Sequence, residues 1–431
     1  MKYHSLHKKA TETNFKNAVI KGLAEDKGLY FPNEIKRLPT AFINNIEQLS
    51  NQEIAFTAIR QFVGDEIPKA ELQRIIDETL SFDFPLVAIE ENIKTLELFH
   101  GPTMAFKDVG ARFMARCLGY LNRESHREVT VLVATSGDTG GAVASGFLGV
   151  KNVNVVILYP SNKVSEVQEK QLTTLGKNIK ALEVDGTFDD CQAMVKKAFL
   201  DTGITSVKQL TSANSINIAR WLPQMFYFFF AYKQLADKNK KLVFSVPSGN
   251  FGNICAGMLA KQLGLPIHHF IAANNSNNVV TRYLQTGDYI VKPSFQTISN
   301  AMDVGDPSNF IRIQKIYKND FEALKNDLYS YSFTDDETRE AMLHLYKKCN
   351  YIADPHGAVG YLGAKEYLKE NRGVQCVFLE TAHPVKFLDV VEPIIGNNIP
   401  LPTQIQEVIH KTKEATFISS YTELKSFLLD K

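Results

Sequence analysis

The sequence has no paired cysteines, no excess charge of one sign and no apolar run long enough to cross a bilayer. Each absence closes off a class of protein. The five cysteines, Cys117, Cys191, Cys255, Cys349 and Cys376, are scattered, odd in number and free of any C-x-x-C spacing. That usage suits reduced thiols in a cytosol, not a secreted disulfide framework. Cys and His do not recur at zinc-ligand spacing either. His268 and His269 are adjacent, and on a strand they would face opposite ways. No metal site is expected. The 48 basic residues stand against 47 acidic ones, a formal net charge of +1, so no global field is built for nucleic acid. The opening MKYHSLHKKATETNF lacks the apolar stretch of a secretory signal. The most apolar run, Phe226 to Tyr232, is far short of the roughly 20 residues that span a bilayer. A buried core helix, a soluble chain with no membrane partner and a cytoplasmic location are the expectations.

What the sequence does contain is a patterned α/β chain. Its 431 residues predict two or three structural units at roughly 100–200 residues per domain. Residues 1–95 carry amphipathic helical patterns around Ile43–Arg60 and Lys69–Thr79, with turn signals at Gly28, Pro32, Pro39 and Pro68. They read as an N-terminal helical unit set against a catalytic region, 96–431, with a smaller subdomain at roughly 110–220. From Val129 onward, short Val- and Ile-rich runs alternate with helical stretches: VTVLVA (129–134), VNVVILYP (153–160), IKALEVDG (179–186), KLVFSVP (241–247), IHHFIAAN (267–274) and VQCVFLE (374–380). Strands of this kind separated by helices predict parallel sheet covered on both faces. Ligands in such sheets bind beyond the carboxyl ends of the strands.

Three loops fall at those ends. TSGDTGG (135–141) follows the 129–134 run, and its small residues allow close backbone approach to an anion at a helix N-terminus. It is not a dinucleotide fingerprint, for G-x-G-x-x-G is absent and no ribose-binding acid ends the next strand; it is not a P-loop, for Gly-Lys-Ser/Thr is absent. A plain tight turn also fits its composition. PSGNFGNICAG (247–257) follows the 241–247 run and can form a nest of N–H groups suited to phosphate. LETAHPVKF (379–387) puts Thr381 at a strand end, where it is a ligand contact or an ordinary helix cap. Two anion-type loops on one scaffold point to a substrate with two anionic groups, or to a phosphorylated cofactor plus an anionic substrate.

Lys107 lies in LELFHGPTMAFKDVGARFMARCLG (96–119), a strand, a Gly101-Pro102 turn and then a helical pattern from about Phe106. A cation near a helix N-terminus is disfavoured by about 0.3–1 kcal/mol. This favours the neutral amine, the form that condenses with an aldehyde. Standing alone, the segment would also suit a solvated surface lysine, although Phe106 and the small, apolar turn argue against that.

Taken together, LELFHGPTMAFKD, VATSGDTG, VVILYP, LTSANSINIAR (210–220), VPSGNFGN, SNAMDVGDPSN (299–309) and ETAHPVKF, preceded by GLAEDKGLYFP (22–32), resemble the threonine synthase family in its long bacterial and fungal form, within the fold-type II pyridoxal-phosphate enzymes. The resemblance covers nearly the whole chain, with its motifs in order. It implies two parallel-sheet α/β domains, pyridoxal 5'-phosphate as cofactor and O-phospho-L-homoserine as substrate. It further implies that Lys107 is the Schiff-base lysine and acid/base, that Gly249, Asn250, Phe251, Gly252 and Asn253 cradle the cofactor phosphate, and that Thr381 meets the pyridine nitrogen. Ser136, Gly137, Asp138 and Thr139 are implied to hold the substrate carboxylate, and Asn214, Ser215 and Arg220, with Thr139, to clamp the substrate phosphate. A planar guanidinium fork suits that last task.

One position departs from much of the wider family. Many relatives carry Asn where this chain has Asp138, and that Asn contacts the cofactor's phenolic oxygen. Two carboxylate oxygens offer no donor for the same contact. The nearest rivals on this fold are a phosphohomoserine lyase yielding a keto acid and a serine/threonine dehydratase. The dehydratase needs no second phosphate site. A catalytically silent relative acting as a scaffold would have no use for Lys107 between two anion loops. Long-form relatives are typically monomeric, and a monomer is expected.

Overall fold

A computed structural model describes residues 1–125 and 127–430. Its centre is a six-stranded sheet in the order Leu328–Ser332, His269–Asn274, Lys241–Pro247, Val374–Glu380, Ile93–Glu97, Leu86–Glu90. All neighbours run parallel except the last pair, which is antiparallel. A second sheet of five parallel strands has the order Thr416–Ile418, Ile179–Val184, Val153–Pro160, Val129–Ala134, Gln209–Thr211. The predicted strands form because their β-branched runs can be buried on both faces; every residue of Val129–Ala134 is buried.

Three expectations need correction. The N-terminal unit has helices Asn51–Val63 and Lys69–Thr79, the first closed by a reciprocal Ser50–Glu53 capping box. It begins, however, with a three-stranded antiparallel sheet of Lys2–Ser5, Thr13–Asn14 and Tyr30–Pro32. The expected boundary at residue 95 falls inside the strand Ile93–Glu97, which is paired with Val374–Glu380; the hairpin from Leu86 belongs to the large sheet. The smaller α/β unit, drawn at 110–220, also recruits Thr416–Ile418 from the far C-terminus, paired to Ile179–Val184. Pairings this distant in sequence leave no local signal.

The adjacent histidines differ too. Only His269 lies on the strand, and the two rings stack at 3.8 Å instead of facing apart.

The aromatic run forms the helix Phe226–Gln234, in which every residue from Phe226 to Tyr232 is buried. Each such side chain contributes on the order of 1.5–3 kcal/mol, so this helix anchors the core on which the two sheets sit. No helix among the described residues is long and apolar enough to cross a membrane.

Helix Lys107–Leu121 packs against helix Asp138–Phe147 and against Ile218–Trp221. A Cβ on Gly146, in helix Asp138–Phe147, would sit 3.1–3.2 Å from the backbone of Ala111. A Cβ on Gly110 would meet the carbonyl of Arg220 at 2.8 Å. These glycines let three elements that carry polar residues close on one another.

Candidate active site

The segment that carries Lys107 is held by backbone bonds to the far end of the sequence. Leu98 N–H donates to the Glu380 carbonyl at 3.0 Å, Phe106 N–H to the Thr381 carbonyl at 2.8 Å, and His383 N–H to the Met104 carbonyl at 3.0 Å. The 103–108 turn is closed by Asp108, whose carboxyl accepts from Thr103 N–H at 2.9 Å and from its hydroxyl at 2.6 Å. Burial raises the pKa of Asp108. Lys107 is therefore fixed at the first turn of its helix, beside Thr381, with its side chain only 17% exposed.

One cavity takes in Lys107, Ser136, Asp138, Thr139, Asn214, Ser215, Arg220, Gly249, Asn250, Phe251, Gly252, Asn253 and Thr381. Of the residues singled out in the sequence, Gly137 alone does not line it. Its φ of +139° favours glycine, and a Cβ there would collide with the side-chain amide of Gln168. Gly137 thus makes room for Gln168, which donates to Asp138 Oδ1 at 3.0 Å.

The loop after Lys241–Pro247 forms the neutral corner of the cavity. Phe251 adopts a left-handed conformation, φ +60°, immediately before helix Gly252–Gln262. The first N–H groups of that helix have no intrahelical acceptor. A Cβ on Gly249 would stand 2.6 Å from the Ala301 carbonyl and 2.9 Å from Met302 Cα, so only glycine lets these two loops meet. The 299–309 segment thereby acquires a task. Asn309 donates through N–H and Nδ2, each at 3.1 Å, to the Asn250 carbonyl, and through Nδ2 at 3.0 Å to Ser215 Oγ. His356 also lines the cavity; its Nε2 accepts from Ala301 N–H at 3.1 Å while Nδ1 bonds Asp354.

The opposite corner is built from charge. Arg220 is 4% exposed, and burial pulls its pKa down to about 10. Its Nη1 donates to the Ala213 carbonyl at 2.5 Å, but the buried Nε has no partner. A buried guanidinium that lines the cavity beside Asn214 and Ser215 suits an arriving anion. Arg312, which the sequence gave no reason to select, is fully buried behind this loop. It donates to the carbonyls of Ser215 at 3.1 Å, Ile216 at 2.6 Å and Tyr30 at 3.1 Å, and packs over Trp221 at 4.5 Å.

Asp138 has one oxygen 3.6 Å from Lys107 Nζ and the other 2.7 Å from the Nζ of Lys386, which has no local sequence signal. Burial alone would raise the carboxyl's pKa; the charges of Lys386 and then Lys107 overcome this and hold it well below the usual range. A substrate carboxylate would find donors at this corner in the hydroxyls of Ser136 and Thr139 and in N–H groups at the start of helix Asp138–Phe147, not in the Asp138 side chain, which is an anion. Lys107 itself is pulled down by burial.

The donor set fits a phosphorylated aldehyde cofactor: a buried amine to bond the carbonyl, a glycine-dependent N–H cradle for the phosphate and a hydroxyl residue at the end of Val374–Glu380. A separate group of possible metal ligands, Glu90, His344 and Cys349, lies at the sheet edge, where Glu90 is already paired with Lys365 at 2.8 Å.

Comparison with known proteins agrees with this geometry. Residues 93–380 match the family described as pyridoxal-phosphate dependent enzyme, residues 2–80 match the threonine synthase N terminus, and residues 357–428 match the threonine synthase C-terminal family. Threonine synthase of Buchnera aphidicola subsp. Baizongia pistaciae is 44% identical over the whole of both chains. The crystal structure of threonine synthase from Escherichia coli superposes with a TM-score of 0.94 at 41% identity, covering 100% of this chain and 99% of that one. The cofactor-bound threonine synthase from Brucella melitensis gives 0.92 at 35% identity, covering 99% and 98%.

Proposed function

The chain belongs to the threonine synthase family of pyridoxal-phosphate-dependent enzymes, and from that premise we propose that Lys107, the 249–253 loop and the Arg220 corner together convert O-phospho-L-homoserine and water into L-threonine and phosphate. When bound, pyridoxal phosphate supplies an electron sink for negative charge developing beside the substrate's amino-bearing carbon. Lys107 is the amine that would hold the cofactor's aldehyde carbon. The same side chain, when not bonded to the cofactor, would be placed to carry protons at the substrate's Cα and the neighbouring carbons. Gly249, Asn250, Phe251, Gly252 and Asn253 would hold the cofactor phosphate through backbone N–H groups, and Thr381 would face the ring nitrogen. N–H groups of the Ser136–Thr139 turn orient the substrate carboxylate, and Thr139, Asn214, Ser215 and Arg220 grip its phosphate. That grip selects the phosphorylated substrate and stabilises the charge on the departing phosphate.

The observation that carries this reading is the placement of one buried amine between two separate anion corners, a neutral one and a cationic one. A dehydratase has no task for the second. We infer a working monomer, as the resemblance to long-form members implies. The free cysteines, mostly buried, suit a reducing cytoplasm. We infer an N-terminal unit and a catalytic body that meet near residue 85 instead of 95, because Leu86–Glu90 and Ile93–Glu97 pair within the large sheet.

The test compares phosphate release from O-phospho-L-homoserine with ammonia release from L-threonine, with the organic product identified. Threonine and phosphate in equal amounts are expected. A keto acid product, or faster ammonia release, would overturn the assignment. Lys107→Ala removes turnover, a loss of at least about a thousandfold, together with the visible absorbance of the covalently held cofactor; retention of that absorbance would place the bond elsewhere.

A further inference from the structure

Lys386 is wholly buried. It lies in the short turn Pro384–Phe387, just beyond Thr381, and His383 ties that turn to Met104. Its Nζ donates to the Thr103 carbonyl at 2.8 Å and pairs with Asp138 Oδ1 at 2.7 Å. One carboxylate thus faces two lysines that lie far apart in the sequence.

A lone Asp138 opposite Lys107 in a dry cavity would stabilise the ammonium form of Lys107, which cannot attack an aldehyde. We propose that Lys386 is a positioning residue of the active site: it engages Asp138 so that this carboxylate orients the Lys107 amine while its negative charge is offset. The proposal rests on Lys107 being the amine that bonds the cofactor. The Asp138–Lys386 pair is neutral overall, as a single amide side chain at this position would be.

The other groups around Lys107 agree with this. Burial favours its neutral form, Asp138 opposes that, and Lys386 and Arg220 restore it. On its own helix, Asp108 has both oxygens bonded to Thr103. Tyr227, from the aromatic helix, donates its hydroxyl to the Phe106 carbonyl. The Phe106 ring lies 5.1 Å from Lys107 Nζ. No other carboxylate is paired with this amine among the described residues.

The test strips the cofactor from the full-length chain and follows covalent capture of added pyridoxal phosphate by visible absorbance. Capture is measured from about pH 6 to about pH 10, a range that spans a shifted lysine. The adduct is fixed by borohydride and located by peptide mass spectrometry. An opposite charge left unbalanced within contact distance moves a pKa by about 1–3 units. The midpoint for Lys386→Met should therefore move alkaline by about one unit or more. Asp138→Asn should move it towards acid. The double variant should return towards the unsubstituted chain, and Lys386→Arg should hold the original midpoint. A folded Lys386→Met with an unmoved midpoint overturns the proposal. If that variant does not fold, an unmoved midpoint in Asp138→Asn overturns it instead. Absence of an adduct at Lys107 in the unsubstituted chain would defeat the underlying functional reading, a separate result.

Discussion

The two corners of the cavity proposed to hold anions differ in what they offer. At Gly249–Asn253 the donors on offer are backbone N–H groups at a helix start, and no charged side chain from that loop lines the wall. At the Arg220 corner they are side chains, among them a buried guanidinium. Backbone donors are fixed by the fold and do not titrate, which suits a resident cofactor. A desolvated cation interacts strongly with charge that appears or departs during a reaction, which suits the substrate. On this contrast, damage to the two corners should show up in different measurements.

The largest effect is expected at the charged corner. Arg220→Gln keeps most of the stem and removes the charge. It should lower kcat/KM for O-phospho-L-homoserine by about 10²–10³-fold, the cost of losing one preorganised donor to developing charge, while cofactor affinity stays within about twofold. Steady-state kinetics beside a cofactor titration would check both halves. Near-normal kinetics would mean that another group holds the phosphate and that the contrast is drawn at the wrong residue.

A smaller and opposite pattern is expected from Gly249→Ala. The added Cβ meets the Ala301 carbonyl at 2.6 Å, and both partners are backbone, so the loops must part. Overpacking of this kind costs about 1–3 kcal/mol, which should emerge as cofactor binding weakened by roughly tenfold or more. At saturating cofactor, the KM for substrate should change far less. A variant that folds with unchanged cofactor affinity would remove the close approach of the two loops from the argument.

The same contrast explains what the sequence made legible. Neutral loops are local: a strand, then Ser248, Gly249, Asn250 and Gly252, then a helix, so these four stand out by composition, while Phe251 and Asn253 enter only through the family resemblance. The helix Lys69–Thr79 and the buried aromatic helix were legible for the same reason, whereas the pattern at Ile43–Arg60 is split into Thr40–Asn44, Ile46–Gln48 and Asn51–Val63. Charge pairs are not local. Lys386 looks like any lysine in PVKF until Asp138, 248 positions earlier in the chain, is brought beside it. Arg312 gains meaning only when Ser215, Ile216 and Tyr30 surround it. The recruitment of Thr416–Ile418 into the smaller sheet is likewise a matter of long-range pairing, as is the start of the large sheet at Leu86. The 299–309 segment stood out in the sequence, yet its contact with Gly249 is visible only in three dimensions.

The smallest effect sharpens the comparison most. Thr381 is 7% exposed at the end of a central strand, and its own carbonyl is bound by Phe106 N–H, so its backbone is held whatever the side chain. It stands on the neutral side, where a hydroxyl can offer a hydrogen bond but no charge. Thr381→Val preserves shape and deletes only that bond. A neutral hydrogen bond is worth about 0.5–1.5 kcal/mol net, so kcat should fall by roughly three- to tenfold, with cofactor retained. Thr381→Ser, which keeps the hydroxyl, should recover most of the rate. A loss in Thr381→Val as deep as that in Arg220→Gln would mean that this hydroxyl controls substantial charge, and the division between a neutral corner and a charged one would fail.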